Sequence, residues 1–185
     1  MKKTLPNSPS DFEVVHTETV FETRYLRVRH DKIKKSNTIS DFYTAVREDA
    51  SFVVPFDGTY IYLIMQFRYQ TMTWFYEIPA GRVNPNEEML TATHRELTEE
   101  TGLVAKKMEQ LGKFAISPGM SDAWGHCFLA TDLVDTTHTN HDDSERIARV
   151  HRCTLNEVRE MMADGTITNG PTLAGLSIFF ARHNP

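Results

Sequence analysis

Two cysteines, Cys127 and Cys153, in 185 residues are too few for a disulfide framework. They read as free thiols, which suits a reducing compartment. Long apolar runs are missing as well. The longest, Ile61 to Met65 and Ser177 to Ala181 with their flanks, fall far short of the roughly 20 residues that a membrane span needs. The basic start, Met1-Lys2-Lys3, has no apolar stretch behind it, so no signal peptide is predicted. Nine Gly and eight Pro exclude collagen-like and low-complexity chains. Positive charge is not in excess either. Twenty Lys and Arg stand against 25 Asp and Glu, a net charge of −5. Nothing then supplies the counterion release on which binding to nucleic acid or anionic membranes depends. These absences predict a soluble, cytoplasmic protein whose partners are neither nucleic acid nor membrane.

What is present is an ordinary globular mix, 40% apolar and 24% charged, in a length that suits a single core. Strand-like patterns come first, at Phe12/Val14, Tyr25 to Arg29 and Phe42 to Val46. Two apolar strands, Ser51 to Phe56 and Tyr60 to Phe67, flank the turn signal Asp57-Gly58. Another strand, Trp74 to Ile78, is expected to stop at Pro79-Ala80-Gly81. Asn86 to Thr101 changes to a helical period and ends at Gly102, where a C-cap glycine belongs. Strands resume at Glu109 to Ile116 and Gly125 to Asp132, and a short one follows near Ile147. Thr154-Leu155-Asn156-Glu157 reads as a capping box, and Pro171 as the first turn of a final helix. The fold class is α+β, with residues 1–47 a strand region and residues 48–185 the main domain.

The stretch from Gly81 to Leu103 carries the chemistry. At about 100° per residue, Leu90 and Leu97 mark one face of the helix, and Glu96, Glu99 and Glu100 form one stripe on the far side. Like charges at this spacing repel, and a cation would remove the repulsion. Mg²⁺ takes oxygen ligands and accepts one or two carboxylates while keeping waters, so the stripe suits Mg²⁺ or Mn²⁺. A solvated acidic face is the competing reading of E-x-x-E-E taken alone. The flanks favour the metal: Gly81, Glu87, Arg95, Glu96, Leu97, Glu99, Glu100, Gly102 and Leu103 follow G-x5-E-x7-R-E-L-x-E-E-x-G-L.

This segment resembles the Nudix box, the signature of Nudix hydrolases, with every defining position filled. The resemblance implies an α/β/α sandwich with a mixed sheet, and divalent-metal-dependent cleavage of a nucleoside diphosphate linked to another group. It implies that Glu96 and Glu100 are metal ligands, that Glu99 is a ligand directly or through water and a candidate catalytic residue, and that the Ala80 carbonyl adds another ligand. Gly81, Glu87 and Arg95 become structural support, with Glu87 and Arg95 an ion pair. Arg95 as a substrate contact is the competing role.

Around the box, Gln66-Phe67-Arg68, Glu77-Ile78-Pro79-Ala80-Gly81 and Ser117-Pro118-Gly119 are similar to the ADP-ribose pyrophosphatase branch. On that likeness Arg68 is a phosphate or ribose contact, against a surface ion pair. Glu77 joins the site, or else serves as a buried partner for a loop amide. Pro118 and Gly119 line the substrate. The branch places a catalytic Glu on a late loop, where Glu145 is the best match and Asp143 the second; a merely solvated loop competes. Relatives also carry a Glu a few residues after Ser-Pro-Gly, where this chain has Asp122. His138 and His141 read as surface residues. Phe12, Phe21 and Tyr25 either stack on adenine or serve as core and dimer packing.

The expected activity is hydrolysis of ADP-ribose, or a related nucleoside diphosphate sugar, to AMP and a sugar phosphate by a homodimer. A GDP-mannose-type hydrolase and a non-catalytic ADP-ribose-binding module are the rivals. Residues 87–100 hold five Glu and one Arg, so nearly all the net negative charge lies on one segment.

Overall fold

Alternation of apolar residues along β4 (Ala50–Pro55) and β9 (Trp124–Asp135) organises the main unit, because successive side chains of a strand point to opposite faces. Phe52, Val54, Cys127 and Leu129 point one way, against Leu176 and Phe179 of α3 (Gly170–Arg182) and Val158 of α2 (Leu155–Ala163). Val53, Phe128 and Ala130 point the other way, against Leu97 of α1 (Met89–Thr101). Helices therefore cover both faces of the sheet. It is a mixed sheet: β4 and β9 run parallel, while β7 (Ala80–Arg82) and β8 (Leu103–Ala115) add antiparallel edges in the order β7-β4-β9-β8. A second, antiparallel sheet joins β10 (Arg146–Thr154), β5 (Tyr60–Arg68) and β6 (Thr73–Glu77) in the order β10-β5-β6.

The computed structural model describes residues 11–136 and 146–183, with backbone alone at 146–148. These residues fall into two compact units, one reaching to Arg47 and including Ser117–Ala123, the other comprising Glu48–Ile116 and Trp124 onward. The first unit holds an antiparallel sheet of β1 (Phe12–Glu22), β2 (Arg27–Lys35) and β3 (Thr38–Val46). His30 on the central strand lies 2.7 Å from Asp41 Oδ1 on β3 and 3.3 Å from Glu18 Oε1 on β1. Both carboxylates, Asp41 foremost, raise its pKa above the ordinary histidine value. Phe12, Phe21 and Tyr25 are exposed here, so none of them is core of this chain. Ser117–Ala123 attaches to β3 through Ala45 N–H donating to Met120 O at 2.8 Å.

Several element boundaries differ from the sequence reading, among them those around the carboxylates. β6 stops before Pro79 as expected, but Ala80–Arg82 then forms a further strand, β7, beside Ala50–Phe52 in the other sheet. The helix begins at Met89, because Asn84 to Glu88 is spent on a loop closed by Glu87 N–H donating to Asn84 O at 3.0 Å. β8 begins at once after the helix, at Leu103, because Gly102 takes a left-handed φ of 72° that turns the chain back without steric cost. The capping box at Thr154 and Glu157 forms, as does the α3 start at Pro171.

Candidate active site

Glu96 and Glu100 do not face water. They are 8% and 1% exposed, turned onto β7, while Leu90 in the first turn is 48% exposed. Burying a carboxylate is costly unless it is hydrogen-bonded or paired. Glu100 Oε2 accepts from the Ala80 amide at 2.8 Å. Glu96 lies directly over Gly81, and a Cβ built on that glycine would fall onto the Glu96 carboxylate. The glycine is needed for this close approach.

Arg95 gathers the acidic groups. Its Nε and Nη2 donate to the two oxygens of Glu87, both at 2.9 Å, a bidentate pair. Nη1 donates to Glu96 Oε1 at 2.6 Å and to Glu99 Oε2 at 3.0 Å. Nη2 also donates to the Arg82 carbonyl at 3.1 Å. Glu87 in turn accepts from the Asn84 amide at 3.0 Å. One guanidinium thus ties loop 83–88, β7 and α1 together and offsets the repulsion among the glutamates. Neither Asn84 nor the Arg82 carbonyl is legible from the signature spacing, since both act through backbone atoms.

The Arg95 guanidinium, followed by the Asn84 amide, lowers the Glu87 pKa from an ordinary 4.5 to about 2. A depressed carboxylate pKa adds stability above the unfolded value and loses it as pH falls through the folded one. The stability difference between the wild type and Glu87→Gln, measured by urea unfolding, should therefore be constant above about pH 5 and shrink below about pH 4.5. An unchanged difference down to about pH 3 would contradict the ion pair's role.

Arg68, at the end of β5, forks onto Glu77 of β6: Nε to Oε1 at 2.9 Å and Nη2 to Oε2 at 2.5 Å. Glu77 is buried and Arg68 half-exposed, so the pair holds the guanidinium at the sheet surface. A loop amide is not the partner that takes these two oxygens. Pro118 and Gly119 lie in the other unit, in the turn that joins β3. Asp122 there lies 3.4 Å from Arg29 Nη1 and accepts from the Arg47 amide at 3.2 Å. Glu145, Asp143, His138 and His141 fall outside the described residues.

Among the described residues, no three His, Cys, Asp or Glu groups converge into a ready cage for an ion. The site still fits a hard divalent metal that keeps part of its water shell. Its donors are carboxylate and carbonyl oxygens, and the vacant side-chain position of Gly81 cradles a carboxylate against the strand. Cys127, buried between the sheet and α3, has its pKa pushed up to about 12 by desolvation and remains an inert thiol.

Comparison with known proteins agrees with this geometry. Residues 46–174 match the NUDIX domain model. The ADP-ribose pyrophosphatase of Bacillus subtilis (strain 168) is 32% identical over 112 residues, 60% of this chain and 60% of that protein. The chain therefore spans about three-fifths of that relative's length. The methanol dehydrogenase activator of Bacillus methanolicus is 26% identical over 163 residues, 87% and 88% of the two chains. A crystal structure of an ADP compounds hydrolase shares the fold with a TM-score of 0.83 and 21% identity, covering 96% of each chain.

Proposed function

The chain belongs to the NUDIX family, and we propose that it hydrolyses the pyrophosphate bond of ADP-ribose or a related nucleoside diphosphate sugar, releasing AMP and a sugar phosphate. The observation that carries this reading is a pair of buried carboxylates, Glu96 over Gly81 and Glu100 on the Ala80 amide, with Arg95 tying Glu96 to Glu87 and Glu99. The similarity to the Bacillus subtilis ADP-ribose pyrophosphatase supports the substrate class.

Hydrolysis forms a bond from a water oxygen to one phosphorus, breaks the bond from that phosphorus to the bridging oxygen, and delivers one proton to a base. Glu96, Glu100 and the Ala80 carbonyl would hold the divalent ion, Mg²⁺ by preference and Mn²⁺ as a substitute, with Glu99 a ligand directly or through water. The bound ion supplies charge neutralisation to the diphosphate oxygens and acidifies the attacking water. Arg68, oriented by Glu77, donates to phosphate or ribose oxygens, a task suited to its fork of donors. Glu99 or Glu145 takes the proton, and Pro118 and Gly119 contact the substrate. Gly81, Glu87 and Arg95 hold loop and helix in place.

The chain acts in the cytoplasm as a homodimer that binds neither nucleic acid nor membrane; no described helix is long and apolar enough to cross a bilayer. Residues 1–47 form the dimerisation region and 48–185 the hydrolase domain. Val14, Val20, Phe42 and Ile39 stand exposed on the N-terminal sheet, an unusual density of apolar side chains for a free surface. Sedimentation of the chain as a monomer at micromolar concentration would refute the dimer.

The activity is tested by incubating the protein with Mg²⁺ and a panel of nucleotide sugars. AMP from ADP-ribose is the expected product. Faster GMP release from GDP-mannose would move the substrate to that class. No turnover alongside saturable ADP-ribose binding would overturn the enzyme.

A further inference from the structure

Ser51 is wholly buried on β4, at 0% exposure, and its hydroxyl has no hydrogen-bond partner among the described residues. An interior hydroxyl left unpaired costs about 1–3 kcal/mol. Its neighbours point to a use for it. Val53, two residues on and therefore on the same face, packs against Leu97 of α1, so Ser51 also faces that helix. Directly across the β4–β7 pair stands Gly81. The place a Gly81 side chain would take is filled by the Glu96 carboxylate. Opposed side chains in an antiparallel pair have Cβ atoms about 4.5–5.5 Å apart, which puts that carboxylate within reach of the hydroxyl.

On its other side Ser51 pairs with His126 of β9. Both ring nitrogens of His126 are engaged: Nε2 lies 3.0 Å from Asp49 Oδ2, and Nδ1 lies 3.4 Å from Gln110 Nε2. Asp49 is itself fixed, its Oδ1 accepting from the Trp124 amide at 2.8 Å. The imidazole is thus committed elsewhere, and the carboxylate that strand pairing sets across from Ser51 is that of Glu96, seated over Gly81.

Glu96 Oε1 is bonded to Arg95 Nη1 at 2.6 Å. A guanidinium and a divalent cation repel each other, so a carboxylate that moves onto the cation weakens its bond to Arg95 and needs another donor. We propose that Ser51 is a positioning residue for Glu96, donating its buried hydroxyl to the carboxylate as it turns from Arg95 to a bound divalent cation. The inference rests on Glu96 being a metal ligand. Hydrogen bonds that orient ligating carboxylates are worth about 10–100-fold in metal affinity.

Mn²⁺ titrated into the whole protein, with free Mn²⁺ followed by electron paramagnetic resonance, tests this without reference to turnover. Ser51→Ala should weaken Mn²⁺ binding about tenfold or more, with thermal stability unchanged or raised because an unpaired polar group is removed. Ser51→Cys leaves no cavity but offers only a weak donor, so it should behave alike and exclude a cavity effect. Wild-type affinity in either variant overturns the proposal, as does a loss of affinity that only follows a falling melting temperature. Glu96→Gln is the control: if it binds Mn²⁺ as tightly as the wild type, the ligand assignment beneath the proposal fails instead.

Discussion

Glu96→Gln should fold normally and lose hydrolysis of ADP-ribose by about a hundredfold or more. Charge stabilisation by a bound metal is worth several kcal/mol at the transition state, and each ~1.4 kcal/mol is a factor of ten in rate. The amide is isosteric and still accepts from Arg95 Nη1, so the contacts that hold α1 to its loop survive. What is lost is the negative charge that attracts the ion. Circular dichroism and thermal melting should match the wild type while turnover collapses. Near-normal turnover would remove Glu96 from the metal site. Glu100→Gln should behave similarly, since its amide oxygen can still accept from Ala80 N–H.

Gly81→Ala should be as damaging to activity and, unlike Glu96→Gln, should also cost stability. The added Cβ falls onto the Glu96 carboxylate, and pairing with β4 holds the Gly81 backbone in place. Overpacking of this kind costs about 1–3 kcal/mol. The carboxylate must swing away, breaking its bond to Arg95 and leaving the position from which it would meet the ion. Urea unfolding should show the lower midpoint, and an ADP-ribose assay with Mg²⁺ the lost turnover. A variant of full stability and activity would show that the close approach is dispensable. Gly102→Ala makes a useful contrast, because that glycine serves a left-handed φ of 72° at the end of α1.

Much of the fold was legible locally because its signals are local. Asp57-Gly58 marked the β4–β5 turn, and there the Asp57 carboxylate accepts from the Thr59 and Tyr60 amides. Thr154 and Glu157 cap each other within four residues. Gly102 closes α1 by backbone geometry alone. By contrast, β7 was read as a stop. Pro79 and Gly81 are poor strand formers, and only pairing with β4 holds Ala80–Arg82 extended. The Arg68–Glu77 fork was equally hidden, because the β5–β6 register sets Arg68 opposite Thr73 and Glu77 opposite Ile64, and the long Arg68 side chain reaches back along the sheet to meet the carboxylate.

Spacing along the chain picked out the candidate site: Gly81, Glu87, Arg95, Glu96, Glu99 and Glu100 sit where the family pattern requires them. Helical periodicity then put the carboxylates on one stripe opposite Leu90 and Leu97, with the metal reading favoured over a solvated face. Tertiary structure decided how deeply that stripe is buried. α1 buries the arc that runs from Leu97 through Thr93 and Glu100 to Glu96, and leaves Leu90 half in solvent. The physical reason is that burial of a carboxylate depends on its partners, not on its own polarity. The Ala80 amide, the Arg95 guanidinium and the missing side chain at Gly81 make the interior tolerable for Glu96 and Glu100. Those partners are assembled by β7 and the loop before the helix, which no periodicity within the helix specifies.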